Sequence, residues 1–125
     1  MRRAAVLLCL AGALLATVGL LPASAQTGGP VIEVFEASGV LDASVLGALR
    51  RDLEGAERRG ARVFLVQMDS FGGLGVDPDE VRRTVAEAGV PVAVWVGPRA
   101  AAAAGAATFV LAGADVVGVA RDARV

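Results

Sequence analysis

The stretch "RVFLVQMDSFGGLGVDPDE", residues 62–80, holds a complete passage from strand to helix. Arg62 to Met68 is a mostly apolar run of strand length, as expected of a strand buried in a parallel sheet. It empties into a glycine-rich segment and then meets Asp77-Pro78-Asp79-Glu80. In that tetrad Asp77 serves as helix cap and Pro78 takes the first helical position. Glu80 completes a capping box, and the acids suit the positive end of the helix. A buried strand followed by a capped helix is the unit of an α/β fold.

The same unit recurs on both sides. Upstream, "VIEVFEA" (31–37) alternates apolar and acidic positions and reads as a strand, and "SGVL" turns the chain. Asp42 then caps a helix running to about Arg59, with Val45, Leu46, Leu49, Leu53 and Ala56 on one face. Glu54 and Arg58 pair four residues apart on the opposite side, and Gly60 stops the helix. Downstream of the quoted stretch, Gly89 ends the second helix. "PVAVWV" (91–96) is a buried strand that places Trp95 in the core, an alanine-rich helix follows Pro98, and "ADVVGVA" (114–120) is a further strand. This alternation predicts an α/β fold with right-handed crossovers and a largely parallel sheet. In such sheets, sites form at the carboxyl ends of the strands.

Met1 to Ala25 stands apart. Arg2 and Arg3 precede a long apolar run that closes with Pro22 and Ala23-Ser24-Ala25, the layout of a secretory signal peptide cleaved before Gln26. The alternative is an uncleaved membrane anchor. Residues 26–30, "QTGGP", form a short flexible lead. The chain has 125 residues, with 12 basic and 13 acidic ones. Loss of Arg2 and Arg3 with the signal leaves 10 basic against 13 acidic, a net charge of −3. That balance gives no electrostatic footprint for nucleic acid. Cys9, the single cysteine, also leaves with the signal, so an exported domain here forms no disulfide.

The sequence contains no histidine and no lysine. A Ser-His-Asp, Cys-His or Ser-Lys site therefore cannot be assembled from these residues alone. No cofactor or metal site is expected either. Two segments follow strands and are placed to form a site. "SFGGLG" (70–75) lacks the spacing of a P-loop or a dinucleotide fingerprint. It reads equally as a plain turn or as a backbone cradle for an anion or a developing oxyanion. In Ala100–Ala107 no side chain exceeds a methyl group, and Gly105, read as part of the helix, costs about 1 kcal/mol against alanine. Close packing of the backbone is the simplest reason for it.

Taken together, "VIEVFEASGVLDASVLGALRRDLEGAERRGARVFLVQMDSFGGL" (31–74), "VPVAVWVGP" (90–98) and the segment Pro98–Asp115 resemble the N-terminal part of the NfeD-type membrane serine peptidases. These belong to the ClpP and signal-peptide-peptidase-A class, with the ClpP/crotonase fold. The family loop Asp-Thr-Pro-Gly-Gly aligns with Asp69-Ser70-Phe71-Gly72-Gly73, with Phe71 in place of the proline. The family nucleophile serine falls on Gly105, and Ala107 replaces a glycine. The resemblance implies an oxyanion hole from Gly72, Gly73 and the backbone of Ala106. It also implies that residues 31–125 are the N-terminal part of a peptidase domain, incomplete at its C-terminus, since the family lysine lies further along the chain.

The resemblance further implies extended hydrophobic peptide segments and stomatin-like membrane proteins as partners, homo-oligomers, and work at the outer face of the membrane in protein quality control. With no nucleophile at Gly105, the expectation is a catalytically impaired member that binds rather than cleaves. Ser70 and Thr108 carry nearby hydroxyls but have no base in this chain. Two alternatives stand beside this: an active serine endopeptidase drawing its nucleophile and lysine from outside these residues, and a crotonase-like acyl-binding domain.

Overall fold

Four strands alternate with three helices between Ile32 and Val119 in the computed structural model, which describes residues 29–125. The expected signal peptide and the first residues of the lead lie outside the described residues. In chain order the elements are β1 (Ile32–Leu41), α1 (Ala43–Arg58), β2 (Val63–Gly73), α2 (Pro78–Ala86), β3 (Val92–Val96), α3 (Ala106–Gly113) and β4 (Val116–Val119). The strands lie in sequential order β1-β2-β3-β4 and every pair is parallel. The α/β fold with a parallel sheet expected from the strand–helix alternation is therefore present.

The caps explain why the helices begin where they do. Asp42 Oδ1 accepts from the Ser44 and Val45 amides at 2.9 Å each, and Asp77 Oδ1 accepts from Asp79 and Glu80 at 2.8 and 3.3 Å. Glu80 does not close a capping box. Its carboxylate accepts instead from Arg50 of α1 at 2.8 Å. Helix α1 ends in a Schellman motif about Gly60 (φ +69°), with the Ala61 amide donating to Ala56 and the Gly60 amide to Glu57.

The core is a single cluster between the sheet and the helices. Phe64, Val66, Met68, Val92, Val94 and Val96 alternate into it from β2 and β3, and Leu46, Leu49 and Leu53 meet them from α1. Val81, Val85 and Val110 complete it from α2 and α3. The alternate residues of the strands face away. Register places Val34, Leu65, Ala93 and Val116 in one row across all four strands on that helix-free face. Trp95 belongs to the neighbouring row and is 37% exposed. The expectation that Trp95 is core fails for this reason: β3 is covered on one face only, so an apolar run is not evidence of burial on both.

Three further expectations give way, two of them at the strand ends. "SGVL" does not turn the chain, and the glycine-rich stretch is not a free loop. Ser38–Leu41 and Asp69–Gly73 are the final residues of β1 and β2 and pair with each other through a bulge, where Gly39 faces Ser70 but Val40 faces Gly72. Ala100–Ala104 is not helical either. Ala100 sits in a turn (φ +66°), and Ala101–Ala104 runs extended between Ser70 and the 123–125 segment, bridging Ser70 to Ala103 and Ala102 to Arg124. The Ser70 amide donates to Ala102 at 2.7 Å and the Ala104 amide to Ser70 at 3.0 Å. On the other side, the Ala103 amide donates to Arg124 and the Arg124 amide to Ala101, each at 2.9 Å. These neighbours take the backbone groups that a helix would have used internally, and so outweigh the helix propensity of alanine.

Candidate functional site

The end of β2 and the start of α3 meet at Gly105. This glycine is the N-cap of α3, with φ +55° and ψ −126°, and is not inside the helix as its alanine surroundings suggested. Such dihedrals are close to glycine-only territory, and they make the sharp reversal from the extended Ala101–Ala104 segment into the helix. A Cβ at position 105 would stand 3.3 Å from Gly72 Cα and 3.8 Å from the Gly73 amide nitrogen. The point from which a residue-105 side chain would project thus lies against the tail of β2.

Gly73 is fixed in turn by its surroundings. A Cβ there would overlap the Ala106 methyl group and come within 2.9 Å of Val76 Cγ2 and 3.2 Å of the Leu41 carbonyl oxygen. Only glycine allows β2 and the first turn of α3 to approach so closely. Ala106 is the first residue of α3, where backbone N–H groups have no acceptor within the helix. All four residues singled out in the sequence, Gly72, Gly73, Gly105 and Ala106, are therefore brought together. They present backbone groups and no reactive side chain.

The two hydroxyls nearby are engaged. Ser70 is 1% exposed, and its Oγ donates to the Gly72 carbonyl at 3.2 Å while its amide and carbonyl hold the extended segment. Thr108 Oγ1 donates to the Gly105 carbonyl at 2.7 Å. One contributor was not evident in the sequence. Asp69 Oδ1 accepts from the Ala102 amide at 3.0 Å and ties the segment leading to Gly105 onto the end of β2. In the sequence it shows only as the match to the aspartate of the family loop.

Charge near this site is sparse. Arg99 pairs with Asp122 at 3.0 Å and clamps the entrance of the extended segment to the strap after β4. The perturbed titrating pair lies elsewhere: the Arg59 guanidinium hydrogen-bonds Glu33 and holds its carboxyl below the usual range, and Glu33 raises Arg59 in return. A cleft of about 400 Å³ between α1 and α2 is lined by residues such as Arg50, Glu57, Thr84 and Gly89. It includes none of the four convergent residues, and Arg50 spans it to Glu80. Among the described residues no group of three or more His, Cys, Asp or Glu is placed to hold a metal ion, and no helix is long and apolar enough to cross a membrane.

A four-stranded parallel sheet alternating with helices, with a strand-to-helix reversal at its carboxyl edge, is a ClpP-like fold. Three solved structures similar to it are of membrane proteases. The chain superposes on 1510-N, a membrane-bound stomatin-specific protease, as a lysine-to-alanine mutant in complex with a substrate peptide, with a TM-score of 0.71 and 21% identity over 77% of this chain. A serine-to-alanine mutant of 1510-N gives a TM-score of 0.70 and 22% identity over 74% of this chain. The 1510-N membrane protease specific for a stomatin homolog from Pyrococcus horikoshii gives 0.67 and 23% over 76%. At these identities the likeness is one of fold. It is the fold that the sequence resemblance implies. The chain spans 44% to 48% of the length of these proteins. No protein-family model and no curated protein sequence matches it.

Proposed function

We propose that this chain is the N-terminal part of an NfeD-like member of the ClpP-class serine peptidases that has lost its nucleophile and retains peptide binding. The observation that carries this reading is the backbone of Gly105. Its sharp reversal (φ +55°, ψ −126°) sets position 105 against Gly72 and Gly73, the placement that a nucleophile beside the oxyanion hole would need. In a serine peptidase a hydroxyl on that residue attacks the scissile carbonyl, a base takes its proton, and backbone N–H groups stabilise the oxyanion that forms. Here Gly72, Gly73 and Ala106 would supply the oxyanion hole. Gly105 offers no oxygen, and no histidine or lysine is present as base. No acyl-enzyme can form on position 105, while backbone pairing with an extended peptide needs neither group.

The partners in this reading are extended apolar peptide segments. The stomatin specificity named for the structural relatives extends the same reading to stomatin-like membrane proteins. Export by the N-terminal segment, placement at the outer face of the membrane, self-association and a part in membrane protein quality control belong to the proposal as well. The test is to incubate the protein with fluorescein-labelled apolar decapeptides, following anisotropy for binding and mass spectrometry for products. Saturable binding with intact peptide is expected. Hydrolysis by the unaltered protein overturns the loss of catalysis, and absence of binding overturns the retained peptide site.

A further inference from the structure

We infer that Phe71 determines specificity at this site, selecting peptides that present an apolar side chain beside the Gly72–Gly73 strand. The inference rests on the peptide-binding reading above and names the residue through which that site discriminates. Phe71 is the bulge residue of β2: Gly39 pairs with Ser70 and Val40 with Gly72, so Phe71 has no opposite number in β1. The bulge turns its side chain out of the ladder. It is 73% exposed, more than any other large apolar residue in the described chain.

Its position gives that exposure a meaning. Phe71 directly precedes Gly72, whose Cα lies 3.3 Å from where a residue-105 Cβ would stand. Leu74, 72% exposed, brackets the glycine pair from the other end, and its amide is held to the Leu41 carbonyl at 3.0 Å. A peptide strand lying along Gly72 and Gly73 therefore passes two apolar side chains that the fold leaves largely uncovered. Side chains of a strand alternate at a period of two, so Phe71 and Leu74 meet residues projecting to the sides of that strand while its backbone faces the glycines. The ring is a large apolar surface with few rotamers, and covering it favours an aliphatic or aromatic partner over a polar one. The nearby Ser70 is buried and offers no competing polar selection.

The test uses two fluorescein-labelled decapeptides of equal length, one alternating Val, Leu and Phe with polar residues and one with Ser and Asn at those apolar positions. Anisotropy titrations are run on the unaltered protein, Phe71→Ala, Phe71→Leu and, as a control on the helix-free face of the sheet, Trp95→Ala. Because Phe71 is exposed, Phe71→Ala should keep its circular dichroism and urea midpoint. It is expected to weaken the apolar peptide about tenfold or more, leave the polar one unchanged and so collapse the preference. Phe71→Leu should retain most of it, and Trp95→Ala all of it. If the apolar peptide binds Phe71→Ala as tightly as the unaltered protein, the inference fails and peptide binding stands. If neither peptide binds the unaltered protein, both fail. If Phe71→Ala alters only the sedimentation coefficient, Phe71 belongs to a contact between copies and the inference is overturned.

Discussion

Replacing Gly105 with alanine separates two incompatible descriptions by the sign of its effect. Inside an alanine helix, Gly→Ala stabilises by about 1 kcal/mol, because alanine is the better helix former. At the observed φ +55° and ψ −126° the same change forces an L residue into a sparsely populated backbone region, at about 1–3 kcal/mol. The new Cβ would also sit 3.3 Å from Gly72 Cα, tight enough that the β2 tail must yield by a few tenths of an ångström. Restricting the unfolded chain returns about 0.4–1 kcal/mol. The net expectation is a destabilisation of about 1–2 kcal/mol, which lowers the melting temperature by about 4–8 °C per kcal/mol in a domain of this size. Urea unfolding followed by circular dichroism, with Gly39→Ala in parallel, is the assay. Gly39 also has positive φ (+81°) but open space around its Cβ position, so it reports the backbone cost without the contact. A Gly105→Ala variant as stable as the parent, or more stable, refutes the reversal at Gly105 and with it the placement of a vacated nucleophile there.

Two other perturbations test what holds this frame in place. Asp69→Ala removes the acceptor of the Ala102 amide and should cost about 1.5–3 kcal/mol, whereas Asp69→Asn keeps an acceptor and should cost less, both read from the urea midpoint. The Glu33–Arg59 pair ties β1 to the end of α1, and the depressed Glu33 carboxyl stabilises the charged form in the folded state. Its contribution is therefore complete above about pH 5 and fades as pH falls through the ordinary glutamate value of about 4.3 and below. Melting temperatures measured from pH 7 to pH 3 should show Glu33→Gln converging on the parent at the acid end. A constant gap across that range would mean that the ion pair contributes nothing.

The parts of the fold that the sequence made legible are those fixed by neighbours in the chain. Asp42 and Asp77 announce helix starts because an N-cap bonds amides two or three residues away, and Gly60 announces a stop because a Schellman motif is equally local. The alternation of these helices with apolar runs was enough for the parallel α/β sheet. Ala100–Ala104 looks helical in the sequence, but the conformation of Ala101–Ala104 is decided by Ser70, some thirty residues earlier, and Arg124, some twenty later. Without those partners a run of five alanines has every local reason to be helical. The bulge at Phe71 was invisible for a similar reason, since it exists only as a mismatch between two strands. Trp95 and its apolar neighbours carried no mark of which face the helices cover.

The candidate site was legible only through resemblance. Gly72, Gly73, Gly105 and Ala106 have no side-chain chemistry to advertise, and composition alone left a turn and an anion cradle equally open. Their convergence is a property of packing. Gly73 admits the first turn of α3, and the reversal at Gly105 brings position 105 against Gly72. Asp69 carries no sign of this role in the sequence because its partner is a main-chain amide some thirty residues away, beside the Ser70–Ala103 bridge.

The most direct test of a vacated nucleophile position in a retained frame is fluorophosphonate labelling of the protein in its natural full length, with the lysine that the resemblance places further along, beside its Gly105→Ser variant. Intact-mass and peptide mapping would read the site of modification. The account predicts no adduct on the unaltered protein and a single adduct at position 105 of the variant. An adduct on the unaltered protein, at Ser70, Thr108 or elsewhere, would contradict it, because another residue would then be doing the work assigned to the missing serine.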